Sequence, residues 1–123
     1  MKKRLLIIDT STAVIQRLKE LVSESLNIED IELSASFSAA SKNIKNNLPD
    51  IVLLDLTLPV NESIEFLKKI KKENPGMSVI VLSDAVDERT EEQCKLAGAD
   101  YFFDRYNEFE KIPGAIEEIR AWK

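Results

Sequence analysis

The chain has 123 residues, 17 of them basic and 22 acidic, for a formal net charge of −5 at neutral pH. That length is one domain, 1–123, large enough to bury a core without disulfides or structural metal. The acidic balance argues against a nucleic-acid backbone as direct partner, because phosphate binding calls for a clustered basic surface. Histidine is absent and cysteine occurs once, as Cys94; this excludes histidine-dependent triads, histidine-type zinc sites, a histidine phosphocarrier role and an intramolecular disulfide.

In chain order, MKKR starts like the basic end of a signal peptide, but only four apolar residues follow before Asp9, too few for an apolar signal region. No run approaches the length of a membrane span, so the expectation is a cytoplasmic protein without membrane contact. LLII (5–8) predicts a buried strand, and Val14, Leu18, Leu21 and Val22 give the next segment a helical apolar stripe. IELSASF (31–37) alternates as an edge strand would, and Ala40 and Ile44 mark a short helix. Pro49 introduces IVLL (51–54), which is followed by a helical stripe of Ile64, Leu67 and Ile70. Pro75 and Gly76 form the turn into VIVL (79–82), and a polar helical segment then carries Cys94 and Ala97. DYFF (100–103) is the fifth strand, and Ile112, Ile116 and Ile119 form the last stripe, with Pro113 in the first turn where a missing N–H costs little.

Five βα units predict a doubly wound parallel sheet with strand order 2-1-3-4-5, in which ligands sit at the carboxyl ends of strands one and three. Those strands end in Asp9 and Asp55; strand four ends in Ser83 and Asp84, strand five in Asp104 and Arg105. Two converging carboxylates repel unless a cation relieves them, and magnesium prefers such oxygen ligands together with phosphate oxygens and water. A carboxylate beside magnesium can attack a phosphoryl donor and become an aspartyl phosphate, with a basic side chain and a hydroxyl to position and neutralise the group. The plainer alternative is that strand-end acids and hydroxyls cap the helices that follow.

LLIID, DIVLLDLTLP, VIVLS and AGADYFFDR, in this order and spacing, resemble the receiver domains of two-component response regulators over essentially the whole chain. The resemblance implies a (βα)5, flavodoxin-like fold. It implies that Asp55 accepts phosphate from a sensor histidine kinase or a histidine phosphotransfer protein. It further implies magnesium held by Asp9, Asp55 and the backbone carbonyl of Thr57, Ser83 as the switch hydroxyl, and Phe102 at the aromatic switch position. Arg105 falls at the usual lysine position.

Three departures stand out. Thr10 replaces the second acid after strand one, so magnesium affinity is expected to be weaker than is typical of the family. Arg105 replaces a compact ammonium by a planar fork that can hold a carboxylate or phosphate bidentately and so pair with Asp55 in the resting state, or is a simple conservative change. Asp84 follows the switch hydroxyl, where a small residue is usual. It either restores the charge lost at Thr10, making Thr10 or Asp84 a further candidate metal ligand, or it faces solvent or caps the fourth helix.

The leading expectation is a stand-alone receiver, not an enzyme, that relays signals by protein contacts to a downstream target; no residues remain for an output domain. The alternative is a pseudo-receiver that acts as an interaction module without phosphate. A flavodoxin-like electron carrier, from the TST after strand one, lacks the glycine for close phosphate approach, and an aspartate-nucleophile phosphohydrolase lacks an acid at Ser11. A homodimer through helix four, strand five and helix five is one arrangement the family resemblance allows. Trp122 either completes the last stripe or is an exposed anchor.

Overall fold

The computed structural model describes residues 3–8, 16–21, 28–56, 60–84 and 87–122. Strand β1 (Lys3–Ile8) is followed by helical turns over 16–21 (α1), then β2 (Ile28–Ser34), α2 (Phe37–Asn46), β3 (Ile51–Asp55) and α3 (Val60–Glu73). After these come β4 (Ser78–Ser83), α4 (Glu88–Leu96), β5 (Tyr101–Asp104), a 3-10 turn (Phe109–Lys111) and α5 (Ile112–Trp122). The strands pair in parallel in the order β2-β1-β3-β4-β5, as the alternation of apolar runs and helical stripes predicts.

Every residue of β3 and β4 is buried, because helices cover both sheet faces and leave no side for polar residues. Successive side chains therefore feed two separate cores. Leu6, Ile8, Val52, Leu54, Val79 and Val81 meet α2, α3 and α4 through Ile44, Leu67, Ile70 and Cys94. Leu5, Ile7, Ile51, Leu53, Ile80 and Leu82 meet α1 and α5 through Leu18, Ile112, Ile116 and Ile119. Each fully buried aliphatic side chain contributes about 1.5–3 kcal/mol relative to exposure, so the two cores rather than any polar contact hold the layers together. Burial pushes the Cys94 thiol up to about 11, leaving it an inert packing group under α4.

The second strand differs from its expected bounds. It begins at Ile28 and stops at Ser34, because Ser36 adopts extended geometry and its Oγ accepts the Ala39 N–H at 3.1 Å, capping α2. Phe37 thereby leaves the strand pattern and stacks on Phe66 of α3 with ring centroids 4.8 Å apart. Strand β5 likewise starts at Tyr101, one residue later than expected. Asp100 instead ties the preceding turn to the sheet: its N–H donates to the Val79 carbonyl (2.9 Å), while its Oδ2 accepts the Val79 N–H (2.8 Å) and pairs with Lys71 Nζ (3.2 Å). Lys71 also donates to the Met77 carbonyl at 2.8 Å, so one α3 side chain joins the entries of β4 and β5.

The stem of Lys71 runs across Gly98, whose φ of +113° is a left-handed conformation that side chains rarely adopt. A Cβ at that position would lie 2.9 Å from Lys71 Cγ. Gly98→Ala is expected to destabilise the fold by about 1–3 kcal/mol, read as a lower urea midpoint at unchanged m-value.

Candidate functional site

Asp55 is the last residue of β3, at the point where the chain order of strands reverses between β1 and β3. Its own strand is fully buried and the carboxylate is 1% exposed. An ionised group there needs a partner, since the penalty for taking an ion out of water is several kcal/mol. That partner is Arg105, from two strands away: its Nη2 contacts Asp55 Oδ2, and the arginine side chain is only 10% exposed. Strands β3 and β5 flank β4 and lie roughly 10 Å apart, a gap that the long arginine side chain crosses over the end of β4.

Three features aim Arg105. The β4–β5 ladder runs to Ser83 and Asp104 and is extended by the Arg105 N–H donating to the Ser83 carbonyl at 3.0 Å. Asp104 then folds the next turn: Oδ1 accepts the Tyr106 N–H at 2.9 Å and Oδ2 accepts Asn107 Nδ2 at 2.7 Å. Glu108 closes the loop, with Oε1 accepting the Asp104 N–H (3.1 Å) and Oε2 pairing with Lys111 (2.8 Å). The hydrogen bonds from Tyr106 and Asn107 hold the Asp104 carboxyl below its ordinary value, and the Lys111 and Asp104 contacts do the same for Glu108.

The rim is therefore narrower than the list of strand-end residues implies. Asp104 is occupied with its own loop and serves as a turn residue. Asp84 is exposed, and the cap of α4 is Asp87, whose carboxylate accepts the Thr90 N–H (2.8 Å) and hydroxyl (3.0 Å). Ser83 is fully buried at the end of β4, beside the strand that carries Asp55. Phe102 is half-buried and packs on the α4 side of the sheet, opposite Tyr101 and Phe103. Asp9, Thr10 and Thr57 lie outside the described residues; the last described pair before them is Ile8 with Leu54. The side chain of Trp122 is likewise not among those described.

The donors that the sequence offers, carboxylates of Asp9 and Asp55 and the Thr57 carbonyl, are hard oxygens of the kind magnesium takes. Of these, Asp55 supplies a buried carboxylate at the switch point, and no cluster of three acidic, cysteine or histidine ligands occurs among the described residues.

A five-stranded parallel α/β fold of this strand order, with a buried carboxylate–guanidinium pair and a buried hydroxyl at the carboxyl ends of its central strands, is a domain of the flavodoxin-like class. The family model for the response regulator receiver domain matches residues 5–117, and the chain belongs to that family. It is similar to a protein-glutamate methylesterase/protein-glutamine glutaminase of Rhodopseudomonas palustris, 37% identical over 87 residues that cover 71% of this chain and 24% of the relative. It also resembles the probable transcriptional regulatory protein TcrX of Mycobacterium tuberculosis, 37% identical over 58% of this chain and 32% of that protein. The chain thus spans about a quarter to a third of the curated relatives it matches. Among solved structures, a response regulator from Thermotoga maritima superposes with a TM-score of 0.88 at 18% identity, covering 98% of this chain and 99% of its own. A CheY-like receiver from Methanospirillum hungatei gives 0.79 at 26% identity over the full length of both. Receiver domains of two-component systems share a phosphorylated aspartate and a magnesium-binding acidic site.

Removing the guanidinium takes away the cation that faces a buried carboxylate. Arg105→Ala is expected to cost about 3 kcal/mol at pH 7, and Asp55→Ala added to it to restore most of the loss, as measured by denaturant unfolding of all four members of the cycle. Because folding lowers the Asp104 pKa below 3.8, its carboxylate contributes stability above that pH and loses it as pH falls through the folded value. Asp104→Asn is expected to flatten the wild-type decline in unfolding midpoint between about pH 4 and pH 2.

Proposed function

We propose that the chain is a phosphorylatable receiver in which Asp55 accepts a phosphoryl group from a histidine kinase or histidine phosphotransfer protein, and which passes the signal on through protein contacts. The buried Asp55–Arg105 pair carries this reading, since it puts a carboxylate nucleophile at the switch point against a permanent cation. In the transfer, an Asp55 carboxylate oxygen bonds to phosphorus as the phosphorus–nitrogen bond to the donor imidazole breaks, and the donor leaves with the electron pair and takes a proton from solvent. Arg105 would exchange its hold on the carboxylate for one on the phosphoryl oxygens. Its Nε is buried and has no hydrogen-bond partner among the described residues, so the fork has a donor to give. Ser83 would turn its hydroxyl toward the new phosphoryl oxygens, and Phe102, packed beside α4, would move with it.

Asp9, Asp55 and the Thr57 carbonyl would hold magnesium, which when bound supplies charge neutralisation at the phosphoryl group; Thr10 gives a weaker site, with Thr10 or Asp84 as auxiliary ligand. A second reading, an interaction module that works without phosphate, draws on the same pair: a guanidinium already closed on Asp55 competes with both metal and donor.

Incubation with acetyl phosphate and magnesium separates the two. A single phosphoryl adduct by intact mass, lost in Asp55→Ala and with a magnesium midpoint raised several-fold over an Asp-Asp receiver, is the expected result. Arg105→Lys is expected to keep the adduct, and Arg105→Ala to slow its formation about 100-fold or more. Absence of any adduct, with either acetyl phosphate or a histidine kinase as donor, leaves the phosphate-independent module.

A further inference from the structure

The helices α2 and α3 leave between them a groove of about 290 Å³, floored by Ile44 and Ile70 and flanked by Leu48, which is 54% exposed. Lys45 and Lys69 stand on its rim, both exposed and without an ion pair among the described residues; Glu73 is the one acid there. This is an apolar slot with a basic rim on an acidic protein. Its chemical opposite lies on the same molecule. Along α4, Glu88, Glu92 and Leu96 recur at four-residue spacing and so share one face, with Leu96 81% exposed, the most exposed large apolar side chain described. Glu91 and Lys95 pair beside that ridge at 2.9 Å, and neither Glu88 nor Glu92 has an ion-pair partner among the described residues.

We infer that the α2–α3 groove of one copy receives the α4 ridge of a second copy, Leu96 entering the slot over Ile44 and Ile70 while Glu88 and Glu92 meet Lys45 and Lys69. The complementarity is of both kinds: each patch is an exposed leucine beside two charges without an ion pair among the described residues, lysines at the groove and glutamates on the ridge. Groove and ridge are different surfaces, so the contact is heterologous; because α2, α3 and α4 all lie on one sheet face, two such contacts can also close about a two-fold axis. A charge-led contact of this type weakens with salt.

Sedimentation velocity on the whole chain, from about 10 μM to about 1 mM in about 50 mM and about 500 mM salt, tests it. The wild type is expected to associate with rising concentration, at least about tenfold more weakly at the higher salt. The groove reversal Lys45→Glu/Lys69→Glu and the ridge reversal Glu88→Lys/Glu92→Lys are each expected to be monomeric, with far-UV circular dichroism unchanged. Mixed in equal amounts, these two variants present complementary partners at both contacts, and association is expected to return. Leu96→Asp is expected to abolish it in every combination. A wild type that stays monomeric throughout overturns the inference. So does self-association that survives the groove reversal, which would place the contact elsewhere, or a mixture that fails to associate.

Discussion

A carboxylate buried at the end of a strand with no wet face is the constraint around which this molecule is arranged. Asp55 closes a strand in which every residue is buried, so water cannot stabilise its charge, and the compensating cation must come from another element. Arg105 serves only if β5 lies in register with β4 and the chain turns at once beyond Asp104. That requirement reaches back through the Asp100 tie to Val79, the Lys71 bridge and the left-handed Gly98, all at the opposite end of the same strands. The entry end of these strands thus helps to position the site at their exit.

The choice of arginine over lysine alters the balance at that point. A guanidinium is weakly hydrated, planar and never deprotonated, so it tolerates 10% exposure better than an ammonium and holds the carboxylate more firmly. The same fork matches phosphoryl oxygens, so under the proposed function whatever stabilises the resting pair would also be available to a phosphorylated form, and the equilibrium between the two would rest on how the fork divides itself between anions.

How much of this was legible in the sequence follows from what each residue does. The continuous runs at 5–8, 51–54 and 79–82 announce strands covered on both faces because burial on two sides removes the polar alternation, and strand order follows from the βα repeat. The alternation at 31–37 misplaces the second strand, since Phe37 fits a strand pattern yet belongs to a helix that Ser36 caps. The pairing of Asp55 with Arg105 was legible as charge at two strand ends. That Asp104 turns its carboxylate back on its own loop was not, because an acid at a strand end looks the same whether it faces a ligand or the next two residues. Asp84 and Asp87 show the same limit: both could cap a helix, and only the extended backbone of Asp87 three residues before Thr90 decides between them. Asp9, Thr10 and Thr57 fall outside the described residues, so their place in the site rests on the sequence pattern alone.

The burial of Cys94 under α4 gives the protein an internal clock for the motion of that helix. With the thiol raised to about 11 by burial, the thiolate is strongly disfavoured at pH 7, and Cys94 lies in the same core as Val79 and Val81. An alkylating reagent can react with it only where that burial is relieved and the group regains an ordinary thiol's acidity. The rate of labelling at the single cysteine therefore measures how often that burial is relieved, as amide exchange does for backbone groups.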